Sequence, residues 1–146
     1  MDKQNDLCFV IMPFGGWFDR YYEEIFKVAI YSAGLEAKRA DDINRPGNIL
    51  RQIVEHTKKA TVVLADLTDS NPNVYYELGI AHAMGKPTVL ITTHIDEIPF
   101  DLKSVRIIHY EKNDPHWGDN LKAKITNYLN EVQREPETAK VKFDFL

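Results

Sequence analysis

Thr61-Val62-Val63-Leu64-Ala65-Asp66-Leu67-Thr68-Asp69-Ser70-Asn71-Pro72-Asn73-Val74-Tyr75-Tyr76-Glu77-Leu78-Gly79-Ile80-Ala81-His82-Ala83-Met84-Gly85-Lys86-Pro87 is the stretch that decides the fold. Its first five residues are apolar or β-branched without interruption, the pattern of a strand covered on both faces, and the strand ends at Asp66. Asn71 then stands where a helix N-cap belongs, with Pro72 at the first helical position. Gly85 falls just past the helix end, before Pro87. A buried strand followed by a capped helix over residues Asn73 to Met84 is half of a βαβ unit.

The same alternation continues in both directions. Upstream, Leu7-Cys8-Phe9-Val10-Ile11-Met12 is an apolar run stopped by Pro13 and Gly15-Gly16. Tyr22, Ile25, Phe26, Ala29, Ile30 and Ala33 then form a helical stripe closed by Gly34. Leu35 to Arg39 is a short second strand, and Ala40 to Asn48 a polar loop. Leu50, Ile53, Val54 and Thr57 mark the next helix. Downstream, Thr88 to Thr93 and Val105 to Tyr110 are strands, separated by a loop containing Ile98-Pro99-Phe100-Asp101. Leu121, Ile125, Tyr128, Leu129 and Val132 mark a last helix. Strands alternating with helices must run parallel, joined by right-handed crossovers. The expected fold is α/β: a doubly wound, flavodoxin- or Rossmann-like five-stranded parallel sheet with helices on both faces.

The bulk composition agrees with this. A chain of 146 residues with 44% hydrophobic and 27% charged residues suits one domain over residues 1–146. The net charge of −4 argues against a nucleic-acid polymer as partner, because neutralising phosphates needs a surplus of Lys and Arg. The single cysteine, Cys8, lies in an apolar run, which fits a buried thiol in a reducing compartment. The polar N-terminus and the short apolar run after it match neither a signal peptide nor a membrane span, so the expected location is cytoplasmic.

Open parallel sheets bind ligands beyond the carboxyl ends of their strands, where the strand order reverses. That mouth collects Pro13-Phe14-Gly15-Gly16, Arg39 to Asp42, Asp66 to Asn73 and Thr92-Thr93-His94. Neither the Gly-x-Gly-x-x-Gly fingerprint nor the phosphate loop ending in Gly-Lys-Ser/Thr is present, so a dinucleotide or ATPase cradle is not expected. Gly15 and Gly16 let a ligand approach the backbone, and Phe14 or Trp17 could stack on a planar base. A plain turn with an aromatic plug is the alternative. The five histidines show no metal-ligand spacing, so no metal site is expected. His82 reads as a helix residue near the mouth.

The segments Ala60 to Thr68, Asn71 to Ala83 and Gly85-Lys86-Pro87 resemble the nucleoside 2-deoxyribosyltransferase superfamily, which includes nucleotide N-glycosidases. Phe9-Val10-Ile11-Met12-Pro13-Phe14-Gly15 and Arg39-Ala40-Asp41-Asp42 resemble its bacterial branch, which is itself similar to TIR domains. The resemblance covers roughly residues 7 to 110, and its sharpest element is Tyr76-Glu77-Leu78-Gly79. It implies that Glu77 is the catalytic carboxylate, acting on the sugar carbon bonded to the base. Cleaving a base–sugar bond passes through an oxocarbenium-like state, which a carboxylate stabilises or captures covalently. Water as acceptor gives a hydrolase, and a second base gives a transferase.

Asp66 is a second catalytic candidate, although an aspartate at a strand end also serves to cap the following turn. Phe14, Gly15, Gly16, Asp41, Asp42, Asn73 and Tyr76 are the candidate substrate-binding residues. Gly79 weakens a helix by ~1 kcal/mol relative to alanine, which points to close packing or ligand approach. The sequence departs from the nucleotide hydrolases at one place: Ile53 stands where a second acidic residue is expected. Asp41, Asp42 or Asp66 could replace it. A lone glutamate would otherwise suit a leaving group that needs no proton, such as the nicotinamide of NAD.

No cofactor is expected, with NAD a possible substrate. The expected small-molecule partner is a nucleoside or nucleotide, with no membrane involved. At the C-terminus, Val141, Phe143 and Phe145 alternate with Lys142 and Asp144, so the tail over residues 136–146 reads as an extra strand or a frayed end. An added strand could pair with a second copy. A homodimer is also implied by the superfamily's habit of completing its sites across subunits. The alternative to an enzyme is a non-catalytic TIR-like module that senses a nucleotide or binds a protein through the same mouth.

Overall fold

A computed structural model describes residues 6–40, 49–99, 102 and 105–143. The strands β1 (Asp6–Ile11), β2 (Leu35–Arg39), β3 (Val62–Asp66), β4 (Thr88–Thr92) and β5 (Ile107–His109) form one sheet in the order β2-β1-β3-β4-β5. Every neighbouring pair is parallel, with Val10 beside both Arg39 and Leu64, and Asp66 beside Ile91. The chain steps outward from β1 to β2 and then crosses back to β3. The order therefore reverses between β1 and β3, and the carboxyl ends of these two strands frame the mouth.

Alternation along the buried strands divides the core into two layers. Cys8 and Val10 face the layer built from α1 (Gly16–Tyr21), a π-helical turn (Tyr22–Phe26), α2 (Lys27–Ser32) and α5 (Trp117–Arg134). Phe9 and Ile11 face the layer built from α3 (Ile49–Lys59) and α4 (Pro72–Ala83). The doubly wound α/β arrangement is thus as expected. The caps also follow the sequence: Asn71 Oδ1 accepts from the Asn73 and Val74 amides at 2.9 and 3.4 Å. Gly34 takes the left-handed backbone, at φ 80°, that ends the first helical segment.

Three details differ from the expectation. The first helix begins at Gly16 rather than near Tyr22; Phe18 and Tyr21 are only partly buried against the core, too weak a stripe to mark α1 in the sequence. β5 is confined to Ile107–His109, with the Tyr110 amide still bonded to Thr92 O at 3.0 Å. His82 lies far from the mouth: it packs beside Thr88 at the start of β4, with Nε2 and Oγ1 3.1 Å apart. Pro136–Ala139 is a short 3-10 turn, and Val141 to Phe143 carry no regular structure; Asp144, Phe145 and Leu146 lie outside the described residues. Among the described residues no helix is long and apolar enough to cross a membrane.

Candidate active site

Asn73, Tyr76 and Glu77 sit three and four residues apart on α4, so one helix face carries all three. They line a cavity of 460 Å³ with Phe14 from the turn after β1, Ala40 after β2, and Ile49, Leu50 and Ile53 of α3. Apart from Asn73 and the Tyr76 hydroxyl, the walls against Glu77 are hydrocarbon or aromatic. Among the described residues no hydrogen-bond donor or cation meets the Glu77 carboxylate. Burial without compensation disfavours the charged form and pushes its pKa up to about 7. A carboxyl group displaced this far from its ordinary range in a concave site is a candidate for a functional role.

Ile53 is part of this wall and only 6% exposed. The position where the resemblance implies a second acidic residue therefore lines the same cavity as Glu77, and it contributes an apolar surface there. Asp41 and Asp42 lie outside the described residues. Gly79 is exposed, and a Cβ built on it would meet nothing within 4 Å. Close packing against the described residues is therefore not the reason for that glycine; among them it leaves an open strip of helix near Glu77.

Asp66 is placed elsewhere. It is 1% exposed at the end of β3 and lines neither of the two large cavities at the mouth. Oδ1 accepts from the Thr68 amide at 3.0 Å and the Thr68 hydroxyl at 2.6 Å, and Oδ2 accepts from the Tyr110 hydroxyl at 2.9 Å. Burial raises its pKa, while these donors pull it back. Its geometry is that of a strand-end aspartate holding the next turn, and it ties the ends of β3 and β5 together.

Gly15 and Gly16, at φ 90° and 54°, also lie away from Glu77. With Trp17 they line a second cavity, of 520 Å³, over the ends of β3, β4 and β5. The turn after β1 thus divides the mouth, with Phe14 on the Glu77 side and the glycines on the other. Arg39 holds this divider. Only 4% exposed, its guanidinium lies 5.1 Å from the Phe14 ring centre and 4.7 Å from that of Tyr22. Its Nη2 donates to Asp19 Oδ1 at 2.8 Å, and the same oxygen accepts from the Gly15 amide at 3.0 Å. Both bonds hold Asp19 below the usual carboxylate range, the amide contributing most. The roles of Arg39 and Asp19 are not visible in local sequence, because their partners come from different elements. Among the described residues no cluster of His, Cys, Asp or Glu could hold a metal ion.

The site is that of an α/β domain with a carboxylate beside the topological switch point, and solved structures share the architecture. A 2-deoxyribosyltransferase of Bacillus psychrosaccharolyticus superposes with a TM-score of 0.59 at 16% identity, covering 82% of this chain and 95% of the other. A CMP N-glycosidase of Clostridium botulinum gives 0.53 at 16% identity over 88% and 99% of the two chains. A 2-desoxiribosyltransferase of Leishmania mexicana gives 0.51 at 20% identity over 60% and 65%. The chain shares the α/β fold of these three proteins. No family model and no curated protein matches it by sequence.

Proposed function

We propose that this protein is an enzyme that cleaves or transfers at the N-glycosidic bond of a nucleoside, nucleotide or NAD, with Glu77 as the catalytic carboxylate. The observation that carries the reading is the desolvated Glu77, without a hydrogen-bonding partner among the described residues, lining a cavity of 460 Å³ with Phe14 and Tyr76, within the usual size of small-ligand sites. Similarity of fold to enzymes of base–sugar exchange and cleavage supports it. One Glu77 oxygen attacks the anomeric carbon while the carbon–nitrogen bond breaks and its electron pair leaves with the base. The base takes a proton from solvent, or departs neutral if it was cationic, as nicotinamide is. Water or a second base then displaces Glu77 from the sugar. The step needs no cofactor.

Phe14 supplies a stacking face, and Asn73 and Tyr76 supply hydrogen bonds to the sugar. Phe14, Ile49, Leu50 and Tyr76 are all exposed apolar or aromatic residues at one cavity, the kind of patch a second copy of the chain covers. We therefore read the working form as a homodimer. A reducing, cytoplasmic setting suits Cys8, whose thiol burial pushes up to about 12.

The test is chromatographic. Wild type and Glu77→Gln are incubated with deoxynucleosides, nucleoside monophosphates and NAD, with and without a second free base, and released base is measured. Release by wild type alone supports the reading and names the substrate, and exchange seen only with added base identifies a transferase. No release from any substrate by dimeric wild type at high concentration would leave a non-catalytic, TIR-like nucleotide-sensing or protein-binding module.

A further inference from the structure

We propose that the 520 Å³ cavity over the ends of β3, β4 and β5 is a second ligand site, built for an uncharged planar heterocycle of the nucleobase class and separate from the Glu77 cavity. The two cavities share no lining residue. Phe18, Tyr21 and Tyr110 belong to the core layer of α1, α2 and α5, whereas Ala40 and Ile53 belong to that of α3 and α4. The sites therefore lie on opposite faces of the sheet, and a base bound in one does not occupy the other.

The walls are aromatic and held in place. Tyr110 stacks on Trp117 at 5.9 Å and 20°, and Tyr21 meets the same indole edge-on at 5.0 Å and 85°. Trp17 stands at the rim, 65% exposed, with the Arg20 guanidinium 5.2 Å from its ring centre. Flat, preorganised aromatic surfaces suit a flat ligand at little conformational cost.

The floor is polar and fixed. Asp66 orients the Thr68 and Tyr110 hydroxyls, and Thr68 Oγ1 accepts from the Thr93 amide at 3.2 Å. These groups hold one another. The Thr93 hydroxyl donates to Thr68 Oγ1 at 3.5 Å and keeps its own oxygen as an acceptor, and with His94 and Asn113, which line the same space, it can hydrogen-bond a heterocycle edge. At the lip, Asp69 and Ser70 both take left-handed backbone, at φ 68° and 49°, a conformation that non-glycine residues hold only when the surroundings impose it.

Charge selects the class of ligand. Lys112 is the lysine of the lining, against Asp69 and Glu111, and its ammonium already sits 5.2 Å from the Tyr21 ring centre. Among the described residues of the lining there is no cationic surplus for a phosphate, and Arg20 at the rim is paired with Glu24 at 3.0 Å. A free base, or the uncharged base of a nucleoside, fits the aromatic walls, the polar edge and the balanced charge together.

The test is equilibrium dialysis of the full chain against adenine, with adenosine monophosphate as the charged counterpart and tryptophan fluorescence as a second readout. Saturable adenine binding is expected, about tenfold weaker in Trp17→Ala. It should be unchanged in Leu50→Trp, which fills the Glu77 cavity, and in Glu77→Gln. Absence of saturable binding, or binding abolished by Leu50→Trp and indifferent to Trp17→Ala, overturns the second site. Monophosphate binding as tight as adenine overturns the uncharged class. Base release is measured separately, so loss of catalysis in Glu77→Gln with adenine binding intact distinguishes this site from the proposed reaction.

Discussion

Glu77 and Asp66 stand at the same edge of one sheet, eleven residues apart, and the two surroundings treat a carboxyl group in opposite ways. Asp66 is sealed in and satisfied by three hydrogen bonds from Thr68 and Tyr110. Glu77 is only partly enclosed, faces Ile53, Phe14 and Leu50, and meets no such donors among the described residues. Burial raises both, but at Asp66 the donors oppose it, whereas at Glu77 burial acts alone. A carboxylate that is fully hydrogen-bonded organises its neighbours. One that is desolvated and left without partners is poised to react with a developing positive charge.

The largest expected effect lies at Glu77. Glu77→Gln should lower base release by roughly a thousandfold, measured as kcat/KM on the best substrate. The same change should stabilise the protein at alkaline pH. A folded pKa raised from 4.5 to about 7 means that the stability linked to the protonated form is fully present below 4.5 and lost as pH rises through 7. Glu77→Gln should thus melt higher than wild type at pH 8, by about 2 kcal/mol once partial solvent access is allowed for, and lose that advantage at pH 4. Equal melting curves at both pH values would erase the difference between the two carboxylates.

Asp66→Ala should act on folding and leave the chemistry in place. Thr68 and Tyr110 lose their acceptor in a buried setting, at a cost of about 2–3 kcal/mol in denaturant unfolding. Base release per folded molecule should change only a few-fold. A loss of kcat comparable to that of Glu77→Gln would give Asp66 a direct role.

Ile53→Asp brings a second carboxylate against the first. A like charge across the cavity should move the acidic limb of the pH–rate profile upward by about one unit. An unmoved limb would mean that the new side chain turns away from Glu77.

The smallest effect is expected at Gly79. With open space around its Cβ position, Gly79→Ala should stabilise α4 by about 0.5–1 kcal/mol in thermal unfolding. If the same variant instead dissociates a dimer in sedimentation, then a second copy packs against this strip of helix, and the Glu77 cavity is covered from outside the chain.

Much of this architecture was legible in the residues themselves. The run Thr61 to Ala65, the Asn71–Pro72 cap and the Tyr76-Glu77-Leu78-Gly79 helix are local features whose meaning comes from hydrogen bonding and side-chain period within a few positions. They led directly to the parallel sheet and to Glu77 on an α4 face with Asn73 and Tyr76. α1 escaped notice because none of its residues is fully buried, Phe18 and Tyr21 being only partly so, and periodicity reports chiefly burial.

The division of the mouth depends on contacts that no short stretch contains. One of the donors that enclose Asp66 is Tyr110, 44 residues away, and Phe14 is placed apart from Gly15 and Gly16 by Arg39 and Asp19. Local sequence determined the strands, the helices, the caps and the helix that carries Glu77, since those follow from backbone propensity and period. Tertiary structure decided which carboxylate is left without partners among the described residues and which is bound, because desolvation and hydrogen bonding depend on the atoms that folding brings alongside.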